Sequence, residues 1–351
     1  MDILAPPQFA VLERIMDPML EKPILYLVIP SYNEEKVLPL TAGRIESLLS
    51  DMISQGKIHE KSRCLFVNDG SRDQTWPMIQ ALHNKNLLFL GVSLSRNRGH
   101  QNALLAGLMT ALPHADCTIS MDADLQDDPE AIVQMVDAYL QGKDVVYGVR
   151  KDRSKDRFFK RFTAESYYKI LQKLGGEIIY NHADYRLLSK QALLSLAQFD
   201  EVNLFLRGLV PMVGFPTAQV EYVRNERAAG ESKYPLKKMI HLAMDGITSL
   251  SVKPLAGLFF LGLFLSIPSL IFLVISWIRY AMKRSTGLGL ILSSIWLLGG
   301  MLFMGIGLVG EYTGKIYLES KRRPRFIIQE VLMDKEGEEI VRDHSFSSSM
   351  N

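Results

Sequence analysis

Apolar and polar positions alternate between residues 24 and 150 in a way that predicts both strands and helices. Short runs rich in Val, Ile, Leu and Phe predict five strands, at residues 24–29, 64–68, 87–94, 118–121 and 145–149. Between them, apolar residues at helical spacing predict helices at residues 37–52, 75–82, 99–112 and 129–140. This alternation predicts an α/β domain whose parallel-rich sheet is covered by helices on both faces.

The pattern changes after residue 254, where two long stretches carry no charged residue. Residues 255–278 and 287–310 each exceed the roughly 20 helical residues that cross the hydrocarbon core of a bilayer, so we predict two transmembrane helices. Only residues 279–286 separate them, so the pair should form a hairpin with both flanks on one side of the membrane. Basic residues around the hairpin outnumber those in its turn, which favours cytoplasmic termini.

An amphipathic segment at residues 231–254 precedes the first predicted span. Its apolar residues recur at the spacing of one helical face: Leu236, Ile240, Ala243, Ile247 and Leu250. Lysine side chains lie off that face. We expect either an interfacial helix on anionic headgroups or a helix packed on the soluble domain.

Composition and charge exclude several classes of protein. The net charge of +2 comes without a concentrated basic face in the first half of the chain, so we expect no nucleic-acid partner. Cys64 and Cys117 lack metal-ligand spacing and are interpreted as buried thiols in a reducing compartment. Residues 1–23 carry charges throughout, so we interpret them as an N-terminal extension and not as a secretory signal peptide.

Polar clusters follow three of the predicted strands: PSYNEE at residues 30–35, NDGSRDQT at 68–75 and DADLQDD at 122–128. The carboxyl ends of parallel strands meet at one edge of a sheet, and ligands bind beyond them. Each cluster alone fits an ordinary turn. The three together predict a binding cleft.

The third cluster predicts a metal site. Asp122 and Asp124 are alternate residues, so their side chains start on the same face. Two neighbouring carboxylates are costly unless a hard cation lies between them or one is protonated. A calcium loop of EF-hand type does not fit, because Asp127 and Val133 stand where it needs Gly and Glu. An open Mg²⁺ or Mn²⁺ site completed by ligand phosphates fits better, with Asp127 and Asp128 starting the next helix.

The ordered motifs of the chain resemble those of a known family. They are LVIPSYNEE, FVNDGSRDQT, LSRNRGHQNALLAGL, MDADLQDDPE, VVYGVR, ADYRLL and AGESKY, followed by the two apolar stretches. In that order, over residues 24–330, they are similar to the membrane-anchored polyprenyl-phosphate glycosyltransferases of glycosyltransferase family 2. The likeness is greater to bactoprenol glucosyltransferases than to dolichol-phosphate mannose synthases.

The resemblance implies an architecture and a reaction. The architecture is a GT-A, Rossmann-like catalytic domain at residues 24–230, a C-terminal two-helix transmembrane hairpin and a cytoplasmic tail at residues 311–351. The reaction is inverting transfer of a sugar from a nucleotide diphosphate to undecaprenyl phosphate at the cytoplasmic face of the bacterial plasma membrane, for cell-envelope glycosylation. UDP-glucose is the expected donor, with UDP-N-acetylglucosamine or GDP-mannose as alternatives. Self-association, a flippase and a downstream membrane glycosyltransferase are implied as partners.

The same resemblance implies roles for individual residues. The donor nucleotide would contact Pro30, Tyr32, Glu34, Asp69 and Asp122. The Mg²⁺ or Mn²⁺ ion would be held by Asp122, Asp124 and Gln126. Phosphate or acceptor groups would be bound by Arg150, Arg157, Arg161, Arg227, Ser232 and Lys233. The catalytic residues would be Asp184, Asp124 and Arg150. Two positions depart from the family pattern, because Asn68 stands where an acidic residue is common and Arg98 where an aromatic one is.

A departing nucleotide gains negative charge, so the metal and nearby cations should make the largest contribution to catalysis. A phosphate monoester with a second pKa of about 6 is largely ionised at neutral pH and needs little help from a base. Asp184 is therefore interpreted either as a base or as a carboxylate that orients the acceptor or a basic residue.

Two further hypotheses fit parts of the chain. A processive polysaccharide synthase would share the donor site, but no Arg-Trp pair of its Gln-x-x-Arg-Trp acceptor motif occurs here. A non-catalytic membrane scaffold of a glycosylation complex would have no need of the intact set Asp122, Asp124, Arg150 and Lys233.

Overall fold

A computed structural model describes residues 22–151, 182–201, 204–223, 282, 288–321 and 323–333. Seven helices are named here: α1 (Leu38–Ser54), α2 (Thr75–Lys85), α3 (His100–Ala111), α4 (Ala131–Leu140), α5 (Lys190–Leu196), α6 (Leu206–Met212) and α7 (Leu288–Ser320). The strands are β1 (Leu25–Ser31), β2 (Arg63–Asn68), β3 (Phe89–Leu94), β4 (Cys117–Ser120), β5 (Val145–Arg150), β6 (His182–Ser189), β7 (Thr217–Tyr222) and β8 (Ile328–Leu332).

The described strands form one sheet in the order β7-β5-β6-β4-β1-β2-β3-β8. Strand β1 pairs in parallel with β2 and β4, β2 does so with β3, and β5 does so with β7. Strands β6 and β8 run antiparallel to their neighbours. The predicted α/β class with a parallel-rich sheet is confirmed, and the antiparallel strand β6 is inserted between β4 and β5.

Both faces of the sheet are covered, as the continuous apolar sequence of β1 predicts. Leu25, Leu27 and Ile29 contribute to one core, together with residues of α1 and α4. Tyr26 and Val28 contribute to the core on the opposite face, together with residues of α3, α5 and α6. Because alternate side chains point to opposite faces, one strand anchors helices on both sides of the sheet.

Helix α3 lies unusually close to the sheet at Gly107. A Cβ atom at this position would overlap the Cγ atoms of Val28 and Val67. We expect Gly107→Ala to lower the free energy of unfolding by roughly 1–3 kcal/mol, because these β-branched neighbours have little room to move. Gly43→Ala in α1 is the matched control, since no described atom lies within 4 Å of its Cβ position, and it should stabilise the protein slightly. Urea denaturation of both variants measures the difference, and equal midpoints would contradict the close packing.

The C-terminal part of the described chain returns to the sheet. Strand β8, from the region assigned by sequence to the tail, pairs with β3, and Ser95 donates its backbone N–H to the carbonyl of Ile327 at 3.0 Å. The Glu330 carboxylate accepts hydrogen bonds from Trp76 Nε1 at 3.1 Å and Gln80 Nε2 at 3.0 Å. These contacts fix the segment that follows α7 to the edge of the sheet.

The two predicted membrane spans are not supported by the structure. The first, residues 255–278, and the juxtamembrane segment 231–254 lie outside the described residues. The second, residues 287–310, overlaps α7. Among the helices of the described chain, none is long and apolar enough to qualify as a membrane span.

Candidate active site

Chain direction brings several polar segments to one edge of the sheet. Strands β1, β2, β4, β5 and β7 run in the same direction and end at this edge. Strand β6 runs in the opposite direction, so it begins there, and Asp184 lies near its start. The predicted convergence of three polar clusters is thus extended by residues from β5, β6 and β7.

The loops after β1 and β2 are joined by hydrogen bonds that pass in both directions. The second loop accepts backbone N–H groups of the first: Asn33 to Ser71 Oγ (3.0 Å), Glu34 to Thr75 Oγ1 (2.9 Å) and Glu35 to Asp73 Oδ2 (3.2 Å). The first loop in turn accepts the backbone N–H groups of the second: Arg72 to Asn33 Oδ1 (2.9 Å) and Gln74 to Glu35 Oε2 (3.1 Å). This arrangement makes a preformed wall beside the edge of the sheet.

Three predicted donor-site residues lie along this wall, and their roles remain predictions. Tyr32 is partly exposed where β1 ends, and Glu34 lies in the loop that follows. Pro30 is buried within β1, opposite Val67 of β2.

Burial alone would raise the pKa of Asp73, but its hydrogen bonds with Thr75 and Glu35 outweigh burial and lower it. Asp73 therefore stays ionised and holds the two loops together.

Asp69 and Asn68 bind protein groups next to this wall. The Asp69 carboxylate is buried and accepts the backbone N–H groups of Arg98 at 2.6 Å and Gly99 at 2.9 Å, directly before α3. Burial raises the pKa of Asp69 despite these bonds. Asn68 donates to Ser93 Oγ at 2.9 Å and accepts from the backbone of Ser71 at 3.1 Å. An amide can make both of these bonds, which accounts for Asn68 at this position.

The residues predicted to hold a metal ion occupy the turn after β4. Asp122 is 44% exposed in its side chain, and the carboxylate of Asp124 accepts the backbone N–H of Gln126 at 3.2 Å. Leu125, which lies between Asp124 and Gln126, has a φ of 55°. This left-handed conformation costs roughly 1–2 kcal/mol for a residue with a Cβ. That turn keeps the two carboxylates and the amide in one short segment at the edge.

The donor chemistry of this turn fits a hard divalent ion with open coordination positions. Two carboxylates and an amide supply oxygen ligands, which Mg²⁺ and Mn²⁺ prefer. Within the described ranges there is no group of three or more His, Cys, Asp or Glu side chains that could hold a metal ion. An ion bound by Asp122, Asp124 and Gln126 would therefore need further ligands, and substrate phosphates can provide them.

The buried carboxylate of Asp184 lies at the centre of a cluster of cationic groups. Arg186 Nη2 lies 2.8 Å from its Oδ1, and Arg207 makes two contacts, at 3.2 Å through Nε and 2.9 Å through Nη2. Gln101 Nε2 lies 3.3 Å from the same carboxylate. Burial opposes ionisation, but Arg207, His100 and Arg186 hold the pKa of Asp184 well below its usual range. A carboxylate held in this way is a weak proton acceptor and a strong orienting group.

His100, the first residue of α3, connects this cluster to the predicted metal site. Its Nε2 lies 3.7 Å from Asp122 Oδ1 and 3.6 Å from Asp184 Oδ2. Burial favours the neutral imidazole, but the carboxylates of Asp184 and Asp122 outweigh that effect and raise the pKa of His100. The imidazole therefore bridges the two acidic groups electrostatically.

Asp127 does not start the next helix, contrary to the sequence prediction. Its buried carboxylate accepts the Tyr222 hydroxyl at 2.5 Å and lies 3.6 Å from Arg150 Nη2. Burial and the nearby Asp122 raise the pKa of Asp127 to about 6. Asp128 does serve the helix start, since its carboxylate accepts the backbone N–H of Glu130 at 3.1 Å, although α4 begins only at Ala131. Adjacent residues point in different directions, so only one of the pair can serve the turn.

Four residues of this site were not predicted from the sequence: His100, Arg186, Arg207 and Tyr222. Arg186 belongs to the motif ADYRLL, in which only Asp184 was assigned a role, and His100 belongs to LSRNRGHQNALLAGL, in which no histidine role was assigned. Arg207 and Tyr222 lie in none of the quoted motifs. Predicted phosphate-binding residues outside the described chain are Arg157, Arg161, Arg227, Ser232 and Lys233. Their roles remain predictions.

The chain is similar in sequence to known glycosyltransferases. A family model described as glycosyl transferase family 2 matches residues 26–196. An uncharacterized glycosyltransferase, YkoT of Bacillus subtilis, is 46% identical over 308 residues, which cover 88% of this chain and 91% of the relative. The bactoprenol glucosyl transferase of Shigella phage SfX is 39% identical over 310 residues, which cover 86% and 98%.

Similarity to solved structures is weaker. Glucosyl-3-phosphoglycerate synthase from Mycobacterium tuberculosis matches with a TM-score of 0.43 and 19% identity, over 65% of this chain and 79% of that one. A similarity of this size is too small to support an inference about function.

Proposed function

Since the chain belongs to glycosyltransferase family 2 and is a glycosyltransferase, we propose that it transfers glucose from UDP-glucose to a polyprenyl phosphate, with inversion at the anomeric carbon. The acceptor is undecaprenyl phosphate, and the product is a lipid-linked sugar for cell-envelope glycosylation. The relative whose name is bactoprenol glucosyl transferase supports this choice of sugar and acceptor. Catalysis takes place at the cytoplasmic face of the bacterial plasma membrane.

One observation carries the proposal: carboxylates suited to a divalent ion lie at the same edge as three cationic side chains. Asp122 and Asp124 occupy the turn after β4, while His100, Arg150 and Arg207 come from α3, β5 and α6. Transfer between two phosphate-bearing substrates requires both kinds of group, because each substrate brings negative charge into the same cleft.

At the donor end, the joined loops after β1 and β2 hold the nucleotide, and Tyr32 is exposed to contact its base. Asp122, Asp124 and Gln126 would hold the Mg²⁺ or Mn²⁺ ion, which when bound neutralises charge on the departing diphosphate. Arg150 presents a guanidinium group, 22% exposed, at the same edge. The chain thus orients the diphosphate and stabilises the charge that develops on it.

At the acceptor end, Asp184 orients cationic groups and does not remove a proton. A lipid phosphate with a second pKa of about 6 is already ionised at neutral pH. The low pKa of Asp184 makes it a poor base, whereas its bidentate contact with Arg207 fixes a guanidinium group that is one third exposed. Arg207 is therefore in place to meet the acceptor phosphate.

Membrane attachment is part of the proposal, with residues 255–278 as a span that places the acceptor phosphate within reach. Helix α7 supports attachment to lipid, because one stripe of apolar side chains along it is 49–66% exposed. The stripe consists of Ile291, Ile295, Leu298, Leu302, Ile306 and Val309. It extends about 27 Å along the helix. Self-association and a flippase that takes up the product complete the proposed setting.

The test of the reaction is a panel of labelled donors. Purified protein is incubated with Mn²⁺, undecaprenyl phosphate and radiolabelled UDP-glucose, UDP-N-acetylglucosamine or GDP-mannose, and label in the organic phase is counted. The proposal requires transfer from UDP-glucose at a rate at least tenfold above the other two. Faster transfer from another donor would overturn the choice of sugar, and no transfer together with no metal-dependent UDP binding would favour the scaffold hypothesis.

The test of membrane attachment is flotation. The full chain and a variant with Leu298→Ser and Leu302→Ser are mixed with vesicles of anionic lipid and separated on a density gradient. We expect the full chain to float with the vesicles. The variant keeps the proposed span at residues 255–278, so it should float as well, but an alkaline wash should release more of it, because the stripe on α7 no longer contributes. Recovery of the full chain at the bottom of the gradient would contradict attachment.

A further inference from the structure

Tyr222, the last residue of β7, contacts two charged groups of the candidate site. Its hydroxyl group donates to Asp127 Oδ1 at 2.5 Å and accepts a hydrogen bond from Arg150 Nε at 3.2 Å. Arg150 Nη2 lies 3.6 Å from the same Asp127 oxygen. The phenol and the carboxylate therefore contact two different nitrogens of one guanidinium group. Two such contacts fix the orientation of its plane.

The surroundings of Tyr222 keep this hydroxyl group in a fixed place. The ring is 3% exposed and packs edge-on against Tyr185, with ring centroids 5.2 Å apart and an interplanar angle of 84°. The hydroxyl of Tyr185 donates to the backbone carbonyl of Asp128 at 2.8 Å and makes no contact with Arg150 or Asp127 among those described, so it is the ring of Tyr185 that packs against Tyr222. A buried polar group held this firmly keeps its partners in one geometry.

Arg150 itself lies where orientation matters. It ends β5 at the edge that carries Asp122 and Asp124, and its side chain is 22% exposed whereas that of Asp127 is 3% exposed. Asp127 is a buried counter-ion, so it can hold Arg150 without reaching the cleft itself. A guanidinium group binds phosphate best when its planar donors are aligned with the oxygens.

We propose that Tyr222 is a positioning residue of this transferase: its hydroxyl group ties Arg150 to the buried carboxylate of Asp127 and thereby aligns the guanidinium group with a substrate phosphate. The inference rests on the proposed function, since it assumes that Arg150 meets phosphate during sugar transfer. No motif of the sequence points to Tyr222, and its contribution depends on β7 lying beside β5 in the sheet.

The experiment compares Tyr222→Phe with Tyr185→Phe in the full-length protein. Each variant loses one hydroxyl group from the same packed ring pair, but only Tyr222 is linked to Arg150. We expect Tyr222→Phe to lower kcat about 10- to 100-fold, because small misplacements of a charged group have effects of this size. Tyr185→Phe should stay within about twofold of the wild-type rate, and calorimetric binding of UDP with Mn²⁺ should show that the site of both variants is folded.

A double-mutant cycle separates positioning from a general loss of structure. In an Arg150→Met background, Tyr222→Phe should change the rate by less than about twofold, because the group that it positions is absent. Asp127→Asn provides a second variant on the other side of the contact and should not add to the effect of Tyr222→Phe. Equal losses in both backgrounds, or a Tyr222→Phe enzyme as fast as wild type, would overturn the inference alone. A wild-type protein that transfers no sugar would overturn the proposed function, and this inference with it.

Discussion

Asp124→Asn is expected to lower the rate of sugar transfer by about a thousandfold or more. Asp124 is one of the two carboxylates that are predicted to hold the divalent ion, and the neutral amide of Asn binds such ions much less strongly. A pair of unit charges about 4 Å apart is worth on the order of 4 kcal/mol at an effective dielectric constant of 20, and each 1.4 kcal/mol of barrier is about tenfold in rate. Initial rates with labelled UDP-glucose, measured over a range of Mn²⁺ concentrations, check the effect.

Asp128→Asn is the matched control for this measurement. Its carboxylate lies four residues further on and accepts the backbone N–H of Glu130, a bond that the Asn side chain can also accept. We expect its rate to stay within about threefold of the wild-type rate. If Asp124→Asn were equally mild, the turn after β4 would not be the metal site.

Asp184→Asn is expected to lower the free energy of unfolding by about 3–5 kcal/mol. The change removes the negative charge beside Arg186, whose side chain is 1% exposed, and leaves a buried cation without its counter-ion. Asp137→Asn is the control, because Asp137 and its partner Lys57 are both partly exposed and such pairs contribute about 1 kcal/mol or less. Chemical denaturation measures both, and similar losses for the two variants would contradict a buried role for Asp184.

The pH dependence of stability follows from the same ion pairs. The pKa of Asp184 is depressed in the folded protein, so its stabilisation is fully present above the unfolded pKa of about 4 and is lost as the pH falls towards the folded value. The wild-type protein should therefore lose stability more steeply below about pH 4 than Asp184→Asn does. Parallel curves for the two proteins would contradict the depressed pKa.

The turnover of Asp184→Asn separates an orienting carboxylate from a base. If Asp184 removed a proton, an acidic limb of the pH–rate profile would disappear in the variant. We expect the limb at about pH 6 to remain, since it belongs to the second ionisation of the acceptor phosphate. Only the rate at the plateau should fall, because Arg207 loses the group that orients it.

The parts of the fold predicted correctly are those that local sequence determines. The apolar runs of β1, β2 and β4 are buried on both faces, and turn-forming polar residues follow each of them. Because parallel strands end at one edge, these runs also predict that the polar clusters lie together. Strand β8 was not predicted, because its short and half-exposed sequence becomes a strand only by pairing with β3.

The candidate site shows the same limit at the level of single residues. Asp127 and Asp128 are identical neighbours in sequence, yet one is buried against Tyr222 and the other serves the start of α4. The partners of Asp127 come from β5 and β7, so its role depends on the order of strands in the sheet. Asp184 was predicted as a site residue, but its low pKa depends on Arg207 from α6 and His100 from α3. Contacts between distant segments decide the chemistry of these carboxylates.

Calorimetric titration of UDP into the purified protein, with Mn²⁺ and then with excess chelator, tests the central claim most directly. The central claim is that the turn after β4 binds a divalent ion together with the diphosphate of a nucleotide sugar. We expect saturable binding with Mn²⁺, at least a tenfold loss of affinity in chelator, and the same weak binding by Asp124→Asn in both conditions. Equal affinity of the wild-type protein for UDP with and without the metal would contradict the claim.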